Sequence, residues 1–191
     1  MELSARWIPM VHISEQGIAL IKRFEDFRAN VYFDSEGNPT IGYGTLITED
    51  NIHLMDATVD KAFAEKLLLE HIAGDTRYIN KVLKVELDQN QSDAIHSFVY
   101  NMGRGAFGGS TLLRKINNRD SLESILQEFP RWKYITVDDK KIVVPGLLTR
   151  RKDEAALFAS RMMPSKKKAI SISTAAIVII LIAIVWKLSR K

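Results

Sequence analysis

Phe24-Glu25-Asp26-Phe27-Arg28-Ala29-Asn30-Val31-Tyr32-Phe33-Asp34-Ser35-Glu36-Gly37-Asn38-Pro39-Thr40-Ile41-Gly42-Tyr43-Gly44-Thr45 carries the chain from a helix into a hairpin. Upstream, Ile18, Ile21, Phe24 and Arg28 recur at helical spacing, with Lys22 and Asp26 on the opposite side. The spacing predicts a helix from about Ser14 to Phe27, with Ser14 as its N-cap. Asn30 to Asp34 then reads as an extended strand and Thr40 to Thr45 as its return. Gly37 and Asn38 between them tolerate positive φ, and Pro39 cannot donate to a ladder, so the connection is a tight turn.

Beyond this hairpin the chain is expected to be mostly helical. Thr58 is a candidate cap for a helix running from Val59 through Leu69 toward Ile72, with Gly74 ending or interrupting it. Ala94, Ile95, Phe98, Val99 and Met102 mark one face of a helix from Gln91 to Met102, closed by Gly103. Gly103 to Gly109 reads as a glycine-rich loop, and Ser110 to Ile116 as a short helix. Asp120 and Glu123 have capping-box spacing and open a helix that Pro130 stops. Tyr134–Val137 and Ile142–Val144 flank a polar turn as a second hairpin, and a last helix spans about Thr149 to Met162. The class is α+β: a small N-terminal hairpin lobe followed by a mostly helical lobe.

The 191 residues contain no cysteine, which excludes a disulfide framework, a thiol nucleophile and a cysteine zinc site. The formal charge of +4 is unevenly spread. Lys166, Lys167, Lys168, Lys187, Arg190 and Lys191 lie in the last 28 residues without an acid. Without them 21 bases face 23 acids, a net −2. The basic excess belongs to the tail, so no nucleic-acid partner is expected. Ala169 to Trp186 holds 18 residues without a charge, enough for roughly 27 Å of helix, between the lysines and Trp186-Lys187 as interfacial anchors. The expected organisation is a domain at 13–163, a basic linker at 164–168, a single transmembrane helix at 169–186 and a basic tail at 187–191. The lipid bilayer is thus an expected partner. The N-terminus, with Glu2 and no long apolar stretch, shows no cleaved secretion signal.

Two acids stand out. Glu25 follows Ile21 by four positions and Ile18 by seven, so it shares their apolar face, where burial favours the protonated form. Pairing with a nearby arginine is the structural alternative. Asp34 ends the first strand beside the turn, a place where Asp also commonly bonds its own backbone. One dry and one solvated carboxylate are what glycoside cleavage requires, and Thr40 could orient a water between them. His12, His53, His71 and His96 lack metal-ligand spacing, so no metal is expected, and the 103–109 stretch lacks the Lys-Ser/Thr of a phosphate loop. Arg150-Arg151-Lys152 reads as a helix surface with one inward arginine.

The spacing E-x8-D-x5-T over Glu25, Asp34 and Thr40 resembles the catalytic triad of phage-type lysozymes, the endolysins of glycoside hydrolase family 24. Four further blocks are similar to family blocks in the same order: Phe98 to Gly103, Ser110 to Leu113, Phe129 to Trp132, and Gly146-Leu147 with Arg150, Arg151 and Glu154. Asp26 departs from the pattern, where the family often has glycine. The resemblance implies a lysozyme-like fold with a cleft between the lobes. It also implies a bacteriolytic hydrolase cutting the β-1,4 bond between N-acetylmuramic acid and N-acetylglucosamine in peptidoglycan, without a cofactor. Glu25 would be the general acid, Asp34 and Thr40 the water-holding pair, and Leu46, Tyr100, Ser110 and Thr111 substrate contacts. The setting would be host cell lysis or wall opening by an infecting virion, with phage lysis proteins or virion membrane proteins as candidate partners. A lytic transglycosylase and a non-catalytic wall-binding protein of the same fold are the alternatives.

Overall fold

The computed structural model describes residues 10–34, 37–137 and 139–160. The linker 164–168, the apolar stretch 169–186 with its expected transmembrane helix, and the tail 187–191 lie outside them. Among the described residues no helix is long and apolar enough to cross a membrane.

The first helix, α1 (Glu15–Glu25), starts where Ser14 accepts a bond from the Gly17 amide. Ser14 also fastens α1 to the core: its amide donates to Asp93 Oδ1 at 2.8 Å, and its hydroxyl donates to Asp93 Oδ2. Three antiparallel strands follow in the order β1 (Arg28–Phe33), β2 (Pro39–Gly42) and β3 (Thr45–Leu46). The expected return strand to Thr45 is therefore broken. Gly42 at φ 70° and Gly44 at φ 84° turn the chain, and what looked like one strand forms two.

A 3-10 segment (Glu49–Leu54) leads to α2 (Lys61–Val82), about 33 Å long. Its cap is Asp60, which accepts from the Phe63 amide at 2.7 Å. Thr58, expected in that role, instead donates to Asn30 Oδ1 of the hairpin. Gly74 does not interrupt α2. The guanidinium of Arg104 occupies the space a Cβ there would need.

The helical lobe continues with α3 (Gln89–Met102), α4 (Arg104–Gly108), α5 (Thr111–Asn117) and α6 (Leu122–Leu126). The stretch expected as a glycine-rich loop is thus largely the short helix α4. Phe107 anchors it in the core, and Gly108 makes room for the Tyr78 hydroxyl. A 3-10 turn (Phe129–Trp132) precedes the exposed hairpin β4 (Tyr134–Val137) and β5 (Lys140–Val143). The last helix, α7 (Pro145–Ala159), begins four residues before the expected Thr149 because Pro145 fits the first helical turn.

Two apolar cores result. Ile21, Ile41, Tyr43, Ile47, Leu54, Leu68 and Ile72 fill the first, beneath the three-stranded sheet. Ile79, Ile95, Phe98, Phe107, Leu112, Phe129 and Phe158 fill the second. Each fully buried side chain of this kind contributes about 1.5–3 kcal/mol. Helix α2 gives Ala64, Leu68 and Ile72 to one core and Ile79 to the other, so it is the beam that joins the lobes.

Candidate active site

Glu25 closes α1, one turn after the fully buried Ile21. Its surroundings differ from the apolar wall expected. Arg150 Nη1 donates to Glu25 Oε1 at 2.5 Å. Arg150 is itself buried, with Nη2 donating to the Ser97 carbonyl at 3.0 Å and Nε to Glu154 Oε1 at 3.2 Å. That same Glu154 oxygen accepts from the Ser97 hydroxyl and from Arg151 Nη2, both at 2.8 Å.

Arg151 and Glu154 are wholly buried, so the expected single inward arginine is in fact a pair. Removal from water pushes the Glu154 carboxyl up against the pull of Arg151 and Arg150, and brings Arg151 down to about 10. Arg151 also lies 4.8 Å from the Phe98 ring centroid, an aromatic face that suits a desolvated guanidinium. A hint of this network was present in sequence. Glu154 stands three and four residues after the two arginines, the spacing of helical ion pairs.

Asp34 sits at the end of β1, half-buried. Its Oδ1 accepts from the Asn38 amide at 2.8 Å and its Oδ2 from the Asn38 side chain at 3.2 Å. Thr40 is buried on β2 and donates to the Asn38 carbonyl at 3.1 Å. Asn38, absent from the sequence-derived set, therefore ties both residues to the same turn.

Tyr32 and Leu46 flank Thr40 in the ladder, so Tyr32, Thr40 and Leu46 form one row on one face of the sheet. The Tyr32 phenol is raised by burial and then by the charge of Glu25, with Asp34 adding to it.

Tyr100 of α3 supplies the opposite wall. Its hydroxyl donates to the Tyr43 carbonyl at 2.6 Å, and burial, with the Glu25 charge second, pushes its phenol well up. Gly44 lies between. A Cβ there would stand 3.3 Å from Glu25 Oε2 and 3.8 Å from the Tyr100 oxygen. Glycine serves two needs at this position, positive φ and close approach.

Glu25 and Tyr100 thus approach each other at Gly44, while Thr40 and Leu46 share the sheet row of Tyr32 and Asp34 is tied to Thr40 through Asn38. Ser110 is different. Its hydroxyl donates to the Phe107 carbonyl and accepts from the Leu113 amide, which makes it the cap of α5. With Thr111 it borders a groove also lined by Lys81, Arg114 and Asn117, and neither Glu25 nor Thr40 lines that groove.

A small sheet and a helical bundle joined by one long helix, with Glu25 paired to Arg150 at the end of the first helix, are the features of a lysozyme-type glycoside hydrolase. Residues 22–154 match the Phage lysozyme family. An endolysin of Acyrthosiphon pisum secondary endosymbiont phage 1 is 43% identical over 78% of this chain and 99% of its own length. A SAR-endolysin of Bacteriophage PS34 is 37% identical over 68% of this chain and 73% of its own. The muramidase domain of SpmX from Asticaccaulis excentricus superposes with a TM-score of 0.72 and 30% identity, covering 79% of this chain and 99% of that one. The chain belongs to the phage lysozyme family.

Proposed function

We propose that this chain is an endolysin-type muramidase that hydrolyses the β-1,4 bond between N-acetylmuramic acid and N-acetylglucosamine in a cleft between the two lobes. Glu25 is the general acid. Its Oε1 receives the Arg150 hydrogen bond, so the transferable proton resides on Oε2, the oxygen facing Gly44. That proton passes to the glycosidic oxygen as the bond to the anomeric carbon breaks. A water held at Asp34 and Thr40 supplies the new oxygen, and Asp34 accepts its proton.

Leu46, from the exposed end of the sheet row, and Tyr100, from the facing wall, border the sugar path. Thr111, half-buried, is the member of the Ser110–Thr111 pair available to a longer glycan. The observation that carries the reading is the placement of Glu25 Oε2 beside Gly44 and the Tyr100 hydroxyl, next to the sheet in which Asn38 ties Asp34 to Thr40.

The domain at 13–163 continues through the basic linker 164–168 into 169–186, which we read as a membrane anchor with the tail 187–191 at the opposite surface. The uncharged length and flanking lysines support this. The anchor places the enzyme at a host or virion membrane beside its wall substrate, within reach of phage lysis proteins or virion membrane proteins.

Clearing of a peptidoglycan suspension tests the enzyme reading. Glu25→Gln and Asp34→Asn should each lower the rate at least about 100-fold while leaving the circular dichroism spectrum unchanged. Equal clearing by wild type and variants refutes it. Anhydro-sugar products would instead indicate a lytic transglycosylase. Carbonate extraction of membranes tests the anchor: the full chain stays with the lipid, and a chain ending at Pro164 is released.

A further inference from the structure

All eight positions of β4 and β5 are exposed, and each strand has only the other as a ladder neighbour. The side chains presented to water are nevertheless largely apolar. Tyr134, Ile135, Val137, Ile142 and Val143 are each 41–48% exposed. They make up five of the thirteen large apolar side chains exposed among the described residues, gathered within ten positions.

A two-stranded hairpin is marginal in water by itself, and a solvated one ordinarily alternates so that a single face is apolar. This one does not. Cross-strand partners share a face, so Tyr134 with Val143 occupies one side and Ile135 with Ile142 the other. Apolar surface concentrated in this way marks a contact site.

The neighbouring charges narrow the partner. Lys140 pairs with Val137 on the Ile135–Ile142 side, and Lys141 pairs with Thr136 on the other. The Lys133 ammonium lies 5.3 Å from the Tyr134 ring centroid. Branched aliphatics interleaved with lysines suit the boundary between acyl chains and anionic headgroups, where lysine stems cover apolar surface and their charges reach phosphate. The acids of this stretch, Asp138 and Asp139, fall between the strands, with Asp139 at φ 60° in the turn. An acidic turn opposes insertion tip first, so the hairpin lies flat on its more apolar side.

We infer that the β4–β5 hairpin is a docking face for an anionic bilayer surface, engaged through Ile135, Val137, Ile142 and Lys140. The inference rests on the reading of 169–186 as a membrane anchor. Only residues 161–168 separate Ser160 from that stretch, roughly 30 Å at full extension. Such a tether gives the domain a high effective concentration at the bilayer, so a patch too small to hold a soluble partner suffices. Docking replaces free rotation about the linker by one fixed presentation of the domain.

The chain has no cysteine, so Ile142→Cys accepts a single nitrobenzoxadiazole label. The labelled full chain is reconstituted into vesicles of phosphatidylcholine and phosphatidylglycerol that carry a nitroxide lipid. Quenching at position 142 should be at least about twofold stronger than at a Lys66→Cys control on exposed α2 surface, and weaker in phosphatidylcholine alone. Adding Ile135→Ser and Val137→Ser should abolish the difference, which separates docking from any affinity of the label itself for lipid.

Equal quenching at both positions in a chain that floats with the vesicles overturns the inference and leaves the anchor standing. A chain that does not float with them removes both. A blue shift at 142 that grows with protein density, without quenching by the nitroxide, assigns the hairpin to a second copy of the chain and also overturns the inference.

Discussion

Asp26 follows the proposed acid directly and adopts φ 52°, ψ 163°. That region is nearly reserved for glycine, and a residue with a Cβ held there carries roughly 1–3 kcal/mol of strain. Asp26 is exposed and, among the described residues, makes no side-chain hydrogen bond or ion pair that would repay it. Its charge also sits at the C-terminal end of α1, where the helix dipole is negative. Replacing it with glycine relieves the strain but adds about 0.4–1 kcal/mol of unfolded-state entropy. The net expectation for Asp26→Gly is a gain of about 0.5–2 kcal/mol. For a domain of this size that raises the melting temperature by about 2–6 °C.

The assay is thermal unfolding followed by circular dichroism, with Asp26→Ala as the companion variant. Alanine removes the charge and keeps the Cβ, so it should recover only the electrostatic part, a few tenths of a kcal/mol. Two results would refute the argument: a glycine variant that melts below wild type, or an alanine variant that matches glycine. The first would mean that the aspartate makes a stabilising contact outweighing the strain, and the second that backbone geometry contributes nothing.

Arg150→Ala should destabilise the fold by about 3–5 kcal/mol in urea titration, because it leaves Glu154 with one arginine instead of two in a wholly buried site. Arg150→Lys should restore part of that loss. Gly44→Ala should both destabilise and slow wall clearing, since the added methyl meets Glu25 Oε2 at 3.3 Å on a backbone at φ 84°; a variant of unchanged rate and melting point would contradict this. His96 gives a pH signature. Burial lowers its pKa below the ordinary 6.5, and its Nδ1 donates to the Ser92 carbonyl at 2.8 Å while Nε2 faces the Thr76 hydroxyl at 3.0 Å. The unfolded chain takes up a proton below about pH 6.5 that the folded chain refuses. Stability should therefore fall with decreasing pH from there, by at most about 1.4 kcal/mol per unit, and stay flat in this respect above it. His96→Gln should flatten that slope in denaturant titrations between pH 5 and 7.

What the sequence made legible was local. The first helix, read to Phe27 and ending at Glu25, the Asp34 turn and the amphipathic face of α3 each follow from spacing within about a dozen residues. The departures came where a distant group decides the outcome. Gly74 reads as a helix breaker until Arg104 is seen lying against it from 30 residues away. Gly108 reads as loop until the Tyr78 hydroxyl needs its space. Glu25 reads as a dry acid because its own helix supplies only isoleucines, while its arginine arrives from α7, 125 positions on. The same holds for the site contacts. Leu46 is placed beside Thr40 by strand register and Tyr100 beside Tyr43 by a long-range hydrogen bond, whereas Ser110 is taken up by its own helix. Spacing motifs locate the reacting groups, but what restrains them is set by tertiary contacts that no short window contains.

The position of Arg150 bears on why the acid stays in register with a site assembled from two lobes. Glu25 hangs from the first core through α1, and Arg150 stands on α7, which packs into the second core through Phe158. Two further bonds, to the Ser97 carbonyl on α3 and to Glu154, fix the guanidinium before it meets Glu25. The acid is therefore referenced to the helical lobe although it is covalently part of the other. Asp34 and Thr40 are tied to each other through Asn38. The β1–β2 turn in this way positions the water-holding pair, and loosening that turn by Asn38→Ala should lower clearing more than it lowers the melting point.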